Sequence, residues 1–185
     1  MKLGAPLMRV LIGGLFIGHG TQKLFGWFGG HGLEGTSGMM EKLGMRPARR
    51  HALLVGGAEA GGGALLGLGA LTPLATAMLT GSMTTAIRKV HWANGPWVTR
   101  GGWEYNGVLI AALTALADHG PGGASLDSRL FPRMRGTGWA LASLVAGVAG
   151  SYLASSPPFN EPEPAIEPTG RFERERVEEP ATVNP

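Results

Sequence analysis

Apolar residues along this chain fall into five runs, separated by short polar or glycine-rich breaks. The first, APLMRVLIGGLFIGHGTQKLFGWF, covers about residues 5–28. The second, ALLVGGAEAGGGALLGLGAL at 52–71, holds a single charge, Glu59. PLATAMLTGSMTTAI (73–87) follows directly, and Thr72-Pro73 between the two runs predicts a tight helical hairpin. A fourth run extends from about Trp103 to Ala117 behind Glu104, and a fifth, GWALASLVAGVAGSYLA (138–154), is uncharged. A helix that crosses a bilayer needs about 20 mostly apolar residues. A soluble helix keeps a polar face, and the second and fifth runs have essentially none. The pattern therefore predicts an all-α, polytopic membrane bundle. The first run is too long for a signal peptide, contains Arg9, and leads to Lys23 rather than a small-residue cleavage site.

Composition sharpens this picture in three ways. Charged residues make up 16% of the chain, against about 25% in a soluble domain. There are 32 Gly; in lipid, small residues let helix backbones approach closely. Gly57 and Gly61, and likewise Gly63 and Gly67, have GxxxG spacing and predict that the second helix sits at the centre of the bundle. Residues 156–185 change character, becoming Pro, Glu and Arg-rich with few apolar groups. Such a segment cannot bury enough surface to offset its ordering entropy, and it reads as a disordered tail. No basic block with interleaved aromatics points to nucleic acid.

Between the first two runs, GGHGLEGTSGMMEKLGMRPARRH carries Gly30, Gly32 and Gly35 in G-x-G-x-x-G spacing. A dinucleotide loop would need a strand before it and a βαβ unit around it, and neither is written here. The segment reads instead as a surface loop with a short helix from Ser37, as N-cap, to Leu43, ended by Gly44. Under the positive-inside rule, Lys42, Arg46, Arg49, Arg50, Arg88, Lys89 and Arg100 place the loops after the first and third helices, and the tail, in the cytoplasm and the N-terminus outside.

The charges inside the apolar runs carry the candidate chemistry. Arg9, His19 and Lys23 fall on one face of the first helix, within an arc of about 80°. A charge at mid-bilayer costs roughly 2.5 to 3.5 kcal/mol or more, so this stripe is expected to face the interior and meet acidic partners. Helix direction puts Lys23 and Glu59 at similar depths, and Glu104 starts the fourth helix from the same side as His91 ends the third. One polar cluster follows: His19, Lys23, Glu59, His91 and Glu104, with Gln22, Trp92 and Tyr105 around it and Arg9 deeper or at the opposite face. The cluster is either an ion-pair network that locks the bundle or a pocket for a ligand or a proton path. The five His show no metal-ligand spacing, so no metal is expected. With no Cys and no nucleophile motif, the chain offers no intrinsic redox group or cofactor of its own.

R-x6-F-x2-HG-x2-KLFG, GG-x-GLEGT-x3-MEKLG, E-x-GGG-x2-LGLGALTPLA and GGWEYN, in that order, resemble the DoxX family of small bacterial membrane proteins. The resemblance covers about residues 5–127 and implies a four-helix transmembrane domain over 1–127. An additional transmembrane helix (128–155) and the tail (156–185) lie outside that core. Arg9, His19, Lys23, Glu59, Glu104 and Tyr105 fall on family motif positions. The resemblance further implies a multi-pass protein of the bacterial cytoplasmic membrane, associated with quinone-linked oxidoreduction. Two functions are then expected. One is a quinone-binding subunit of a membrane-associated oxidoreductase system, with Arg9, His19, Lys23, Glu59, His91, Glu104 and Tyr105 as ligand-binding or proton-relay residues. The other is a non-catalytic scaffold that recruits a soluble or membrane redox partner protein, with Arg171 to Glu179 as the docking arm.

Overall fold

The computed structural model describes residues 3–161, and these residues form seven helices without a strand. Helix α1 covers Gly4–Phe25, α2 Gly32–Lys42, α3 Ala48–Leu68, α4 Thr72–Ala86, α5 Glu104–His119, α6 Leu126–Leu130 and α7 Thr137–Ala154. A π-helical turn, Ile87–His91, and a 3-10 turn, Trp92–Asn94, prolong α4 beyond the expected end at 87. Helices α3 and α4 form the centre. Against α3 lie α1 and α2; against α4 lie α5 and α7. The core joins Ile12 and Phe16 of α1, Leu66 of α3, Leu79 and Met83 of α4, and Leu113 and Leu116 of α5.

Helix α2 begins earlier than expected, at Gly32 rather than after Ser37. Glycines at positive φ, Gly26 (73°), Gly29 (77°) and Gly32 (64°), complete the reversal from α1 within a few residues. The Ser37 hydroxyl donates back to the Leu33 carbonyl at 2.7 Å, an intrahelical bond rather than a cap. The hairpin at Thr72-Pro73 forms as the sequence predicts, with Pro73 in the first turn of α4.

The glycine seam matches the GxxxG expectation in part: Gly63 and Gly67 both meet Gly13 of α1, whereas Gly57 and Gly61 do not face that helix. A Cβ on Gly57 would meet nothing within 4 Å. The close crossing is between α1 and α3: a Cβ on Gly13 would lie 2.6 Å from the Gly63 oxygen, and one on Gly20 would lie 2.7 Å from the Gly56 oxygen. Helix phase decides this, since Gly56 and Gly63 share the face turned to α1 whereas Gly57 does not. A second close crossing joins α4 to α7, where a Cβ on Gly147 would meet the Ala77 oxygen at 2.7 Å. Arg88 adds to this contact, donating to the Ser151 carbonyl at 3.1 Å and lying 3.5 Å from the Tyr152 ring centroid. Helix α7 is thus packed into the bundle rather than attached beside it.

Five separate crossing helices are not what length and composition alone give. Among the described residues, α7 is the one helix long and apolar enough to span, with a mean hydropathy of 1.3. Glycines and the charges Arg9, Lys23, Arg49, Arg50 and Glu59 dilute α1 and α3. Helices α4 and α5, with 15 and 16 residues, are short of the usual span. The start of the segment read as disordered is folded: Asn160 Oδ1 accepts from the Arg46 N–H at 2.7 Å, and the Glu161 N–H donates to the Arg46 carbonyl at 2.9 Å. The remainder of that segment, including the expected docking arm Arg171 to Glu179, lies outside the described residues.

Candidate functional site: a cavity behind a Lys–Glu–Ser triad

Above the apolar core, α1, α3, α4 and α5 part around a cavity of about 420 Å³, roofed by Met39 and Met40 of α2 and by Leu43 just after it. Most of its wall is hydrocarbon from Ile12, Leu15, Phe16, Val55, Met83 and Leu109. One set of polar side chains is built into it. Lys23 Nζ donates to Glu59 Oε2 at 2.5 Å, and the Ser82 hydroxyl donates to Glu59 Oε1 at 2.7 Å. Three helices converge here, and helical phase explains why. Lys23 and Gly20 lie on the face of α1 that crosses α3, and Glu59 and Gly56 answer from α3. The close approach at Gly20 and Gly56 brings the two charges into contact.

The pair is asymmetric. The Glu59 side chain is 4% exposed and that of Lys23 is 23% exposed. Both carboxylate oxygens have a donor, so Glu59 is satisfied from within the fold. Lys23 has three N–H donors and gives one to Glu59, which leaves donors for an acceptor in the cavity.

Two histidines stand on the wall. The Nδ1 of His91 lies 2.7 Å from the Gly101 carbonyl oxygen, which can only accept, so Nδ1 carries the proton and Nε2 is left without that bond. This histidine closes the π-helical turn, a distortion that is frequent at functional sites. His19 is exposed and holds Gln22 Oε1 at 3.1 Å, while Gln22 Nε2 donates to the Phe28 carbonyl at 3.3 Å. Tyr105 also lines the cavity and is half exposed.

Of the residues expected to cluster, Lys23, Glu59, His19, His91 and Tyr105 line this one cavity. Glu104 does not, and Arg9 lies apart at the opposite end, as expected. Glu104 Oε1 accepts from the Val98 N–H at 2.7 Å. The connection 92–103 runs through 3-10 turns, and its backbone donors need an acceptor that the nearest carboxylate supplies. Arg9 lies at the far end of the bundle, buried, donating to the Ala124 carbonyl and facing the charge of Asp127. Asp127 in turn accepts from the Leu71 N–H at 2.7 Å and the Thr72 N–H at 2.8 Å, capping α4. The stripe of three basic residues therefore serves two separate sites, because α1 is long enough to reach both ends.

Sequence reading missed Ser82, Asn106 and the methionine roof. Asn106 is buried against the cavity and its amide donates to the Met83 sulfur at 3.3 Å. Ser82 could have been flagged as a hydroxyl in an apolar run, although the same run holds several hydroxyls. Among the described residues, no group of three or more His, Asp or Glu side chains is placed to hold a metal ion.

The DoxX family model matches residues 4–92, which run from the start of α1 to Trp92, just past the π-helical turn. No curated protein and no solved structure matches the chain. The matched stretch carries Lys23, Glu59, Ser82 and both cavity histidines; Glu104 and Tyr105 follow it.

Proposed function

Because residues 4–92 make this chain a member of the DoxX family, a family of membrane proteins, we propose that it is a multi-pass protein of the cytoplasmic membrane. Its cavity binds a small lipophilic molecule with a hydrogen-bond-accepting head, of the quinone kind. The distribution of side chains supports the membrane part. Leu7, Leu11, Leu53, Val108, Val145 and Leu153 face outward and are exposed, while Thr76, Thr80, Ser82, Asn106, Ser143 and Ser151 are buried. In water that arrangement would place apolar surface on the wrong side. In hydrocarbon it is favourable, and it lets α1, α3, α4 and α5 cross despite their modest hydropathy, since their polar groups point inward. The basic residues Arg46, Arg49, Arg50, Arg88 and Lys89 gather at the cavity end and favour that end as cytoplasmic.

The observation that carries the ligand is the triad Lys23–Glu59–Ser82 in the wall of an otherwise apolar cavity of about 420 Å³. That volume lies in the range of small-molecule sites, which pair an apolar lining with a few fixed polar groups. Lys23 orients the head by donating to its oxygen, and Glu59 holds Lys23 in place without contacting the ligand. His91, through Nε2, is a second group able to exchange a hydrogen bond with the head, with Lys89 and Tyr105 on the same wall. A quinone fits this set of donors; when bound it supplies the redox chemistry, with electrons from a partner enzyme, since the chain has no Cys. What the residues themselves do is bind, orient and move a proton at the head oxygen.

The test is to purify the protein in mild detergent, extract it, and search for co-purifying quinone by mass spectrometry. Added quinone analogue at about 100 times its Kd should stabilise the protein by about 2.7 kcal/mol. Repeated absence of quinone together with an unchanged melting temperature would remove the proposal.

A further inference from the structure

Several sides of the cavity wall are close-packed. Between α1 and α3 the backbones touch at Gly13, Gly20, Gly56 and Gly63. Between α3 and α4, a Cβ on Gly62 would meet Leu79 at 3.0 Å. Asn106 and Met83 join α5 to α4, and α2 lies across the top. The connection after α4 is tied down by the bonds from His91 to Gly101 and from Val98 to Glu104. Helices α1 and α5, by contrast, barely touch. They meet in the core at Ile12, Phe16, Leu113 and Leu116 and part above it. On the two facing rims, Leu15 of α1 is 47% exposed and Tyr105 of α5 is 51% exposed, although both line the cavity.

Depth decides what lies outside this gap. Leu15 is ten residues before the end of α1 at Phe25, or about 15 Å along the axis. In a hydrocarbon slab about 30 Å thick, that is the middle of the bilayer. We infer that the gap between α1 and α5 is a lateral portal, through which a tailed lipid-soluble ligand reaches Lys23 directly from the membrane interior. This rests on the ligand-binding reading above and narrows its substrate class. A cavity of about 420 Å³ encloses a head group but not a long isoprenoid or acyl tail. The tail stays in lipid beside Leu15 while the head occupies the site. A water-soluble acceptor of the same head chemistry gains nothing from such an opening.

The absence of native Cys makes a clean test available. Gly18→Cys and Val108→Cys sit on the two helices at positions with room for a side chain, and neither residue lines the cavity. The double variant is reconstituted in lipid nanodiscs and bridged with a short bis-maleimide. Binding of a decyl-tailed benzoquinone and of its tail-less parent is then measured by equilibrium dialysis, with singly labelled variants as controls. The portal predicts a loss of at least about tenfold in affinity for the tailed compound on bridging. The tail-less parent should bind as before. Equal loss of both compounds, or loss of neither, would overturn the portal while leaving the ligand site standing. If the unbridged protein binds neither compound, the ligand site fails and the portal fails with it.

Discussion

Removing Lys23 should cost far more than removing Glu59. In Lys23→Met the Glu59 carboxylate stays at 4% exposure with only the Ser82 hydroxyl as a donor. Stripping one partner from a buried pair costs about 3–5 kcal/mol, because the remaining charge is left without compensation. In Glu59→Gln the remaining cation is Lys23, which is 23% exposed and sits in the last turn of α1 on a flexible stem that can snorkel toward that end of the helix. Partial solvation there should hold the loss to about 1–2 kcal/mol. The double variant Lys23→Met/Glu59→Gln leaves no buried charge and should be more stable than Lys23→Met alone, with a coupling of about 2 kcal/mol. For a chain of this size, 1 kcal/mol corresponds to roughly 2–4 °C in melting temperature. The Lys23→Met midpoint should therefore fall by about 10 °C or more, and the double variant should recover part of that drop. Intrinsic tryptophan fluorescence during thermal unfolding in detergent reads all four proteins. Two results would refute the reasoning: equal losses for the two single variants, or strictly additive losses in the double.

Gly20→Val should destabilise by about 1–3 kcal/mol or more, because its side chain would press on the Gly56 oxygen and force α1 away from α3; Gly57→Val, facing open space, should fold normally, and expression with thermal unfolding separates them. Asp127→Ala removes the cap on α4 and the charge facing Arg9, for a loss of about 3–5 kcal/mol. Asp127→Asn keeps an acceptor for α4 and should lose less than Asp127→Ala; equal midpoints for the two would contradict the capping role. Arg88→Leu should loosen α7 by about 1–2 kcal/mol, through loss of the Ser151 bonds and the Tyr152 stacking. Limited proteolysis in the 130–136 connection would report this as faster cleavage than in the parent protein.

Much of this protein was written in one dimension. Helix identity followed from the apolar runs, because a run without a polar face has few other solutions. The pairing of Lys23 with Glu59 followed from helical phase and depth, since bare charges in hydrocarbon must find each other. Recognition of the DoxX blocks drew on the same residues. Tertiary packing decided the rest. Which glycines form the α1–α3 crossing depends on rotation of each helix about its axis, and spacing along the chain does not define that angle. Gly57 and Gly56 are neighbours, yet only Gly56 meets α1. Glu104 had the right charge and the right end of the bundle, but a backbone N–H six residues earlier claimed it. Ser82, the methionine roof and the gap beside Leu15 belong to surfaces contributed by several helices at once. Local sequence sets the energy of each element, whereas a cavity exists only where separate elements fail to meet, and that is a property of the assembled fold.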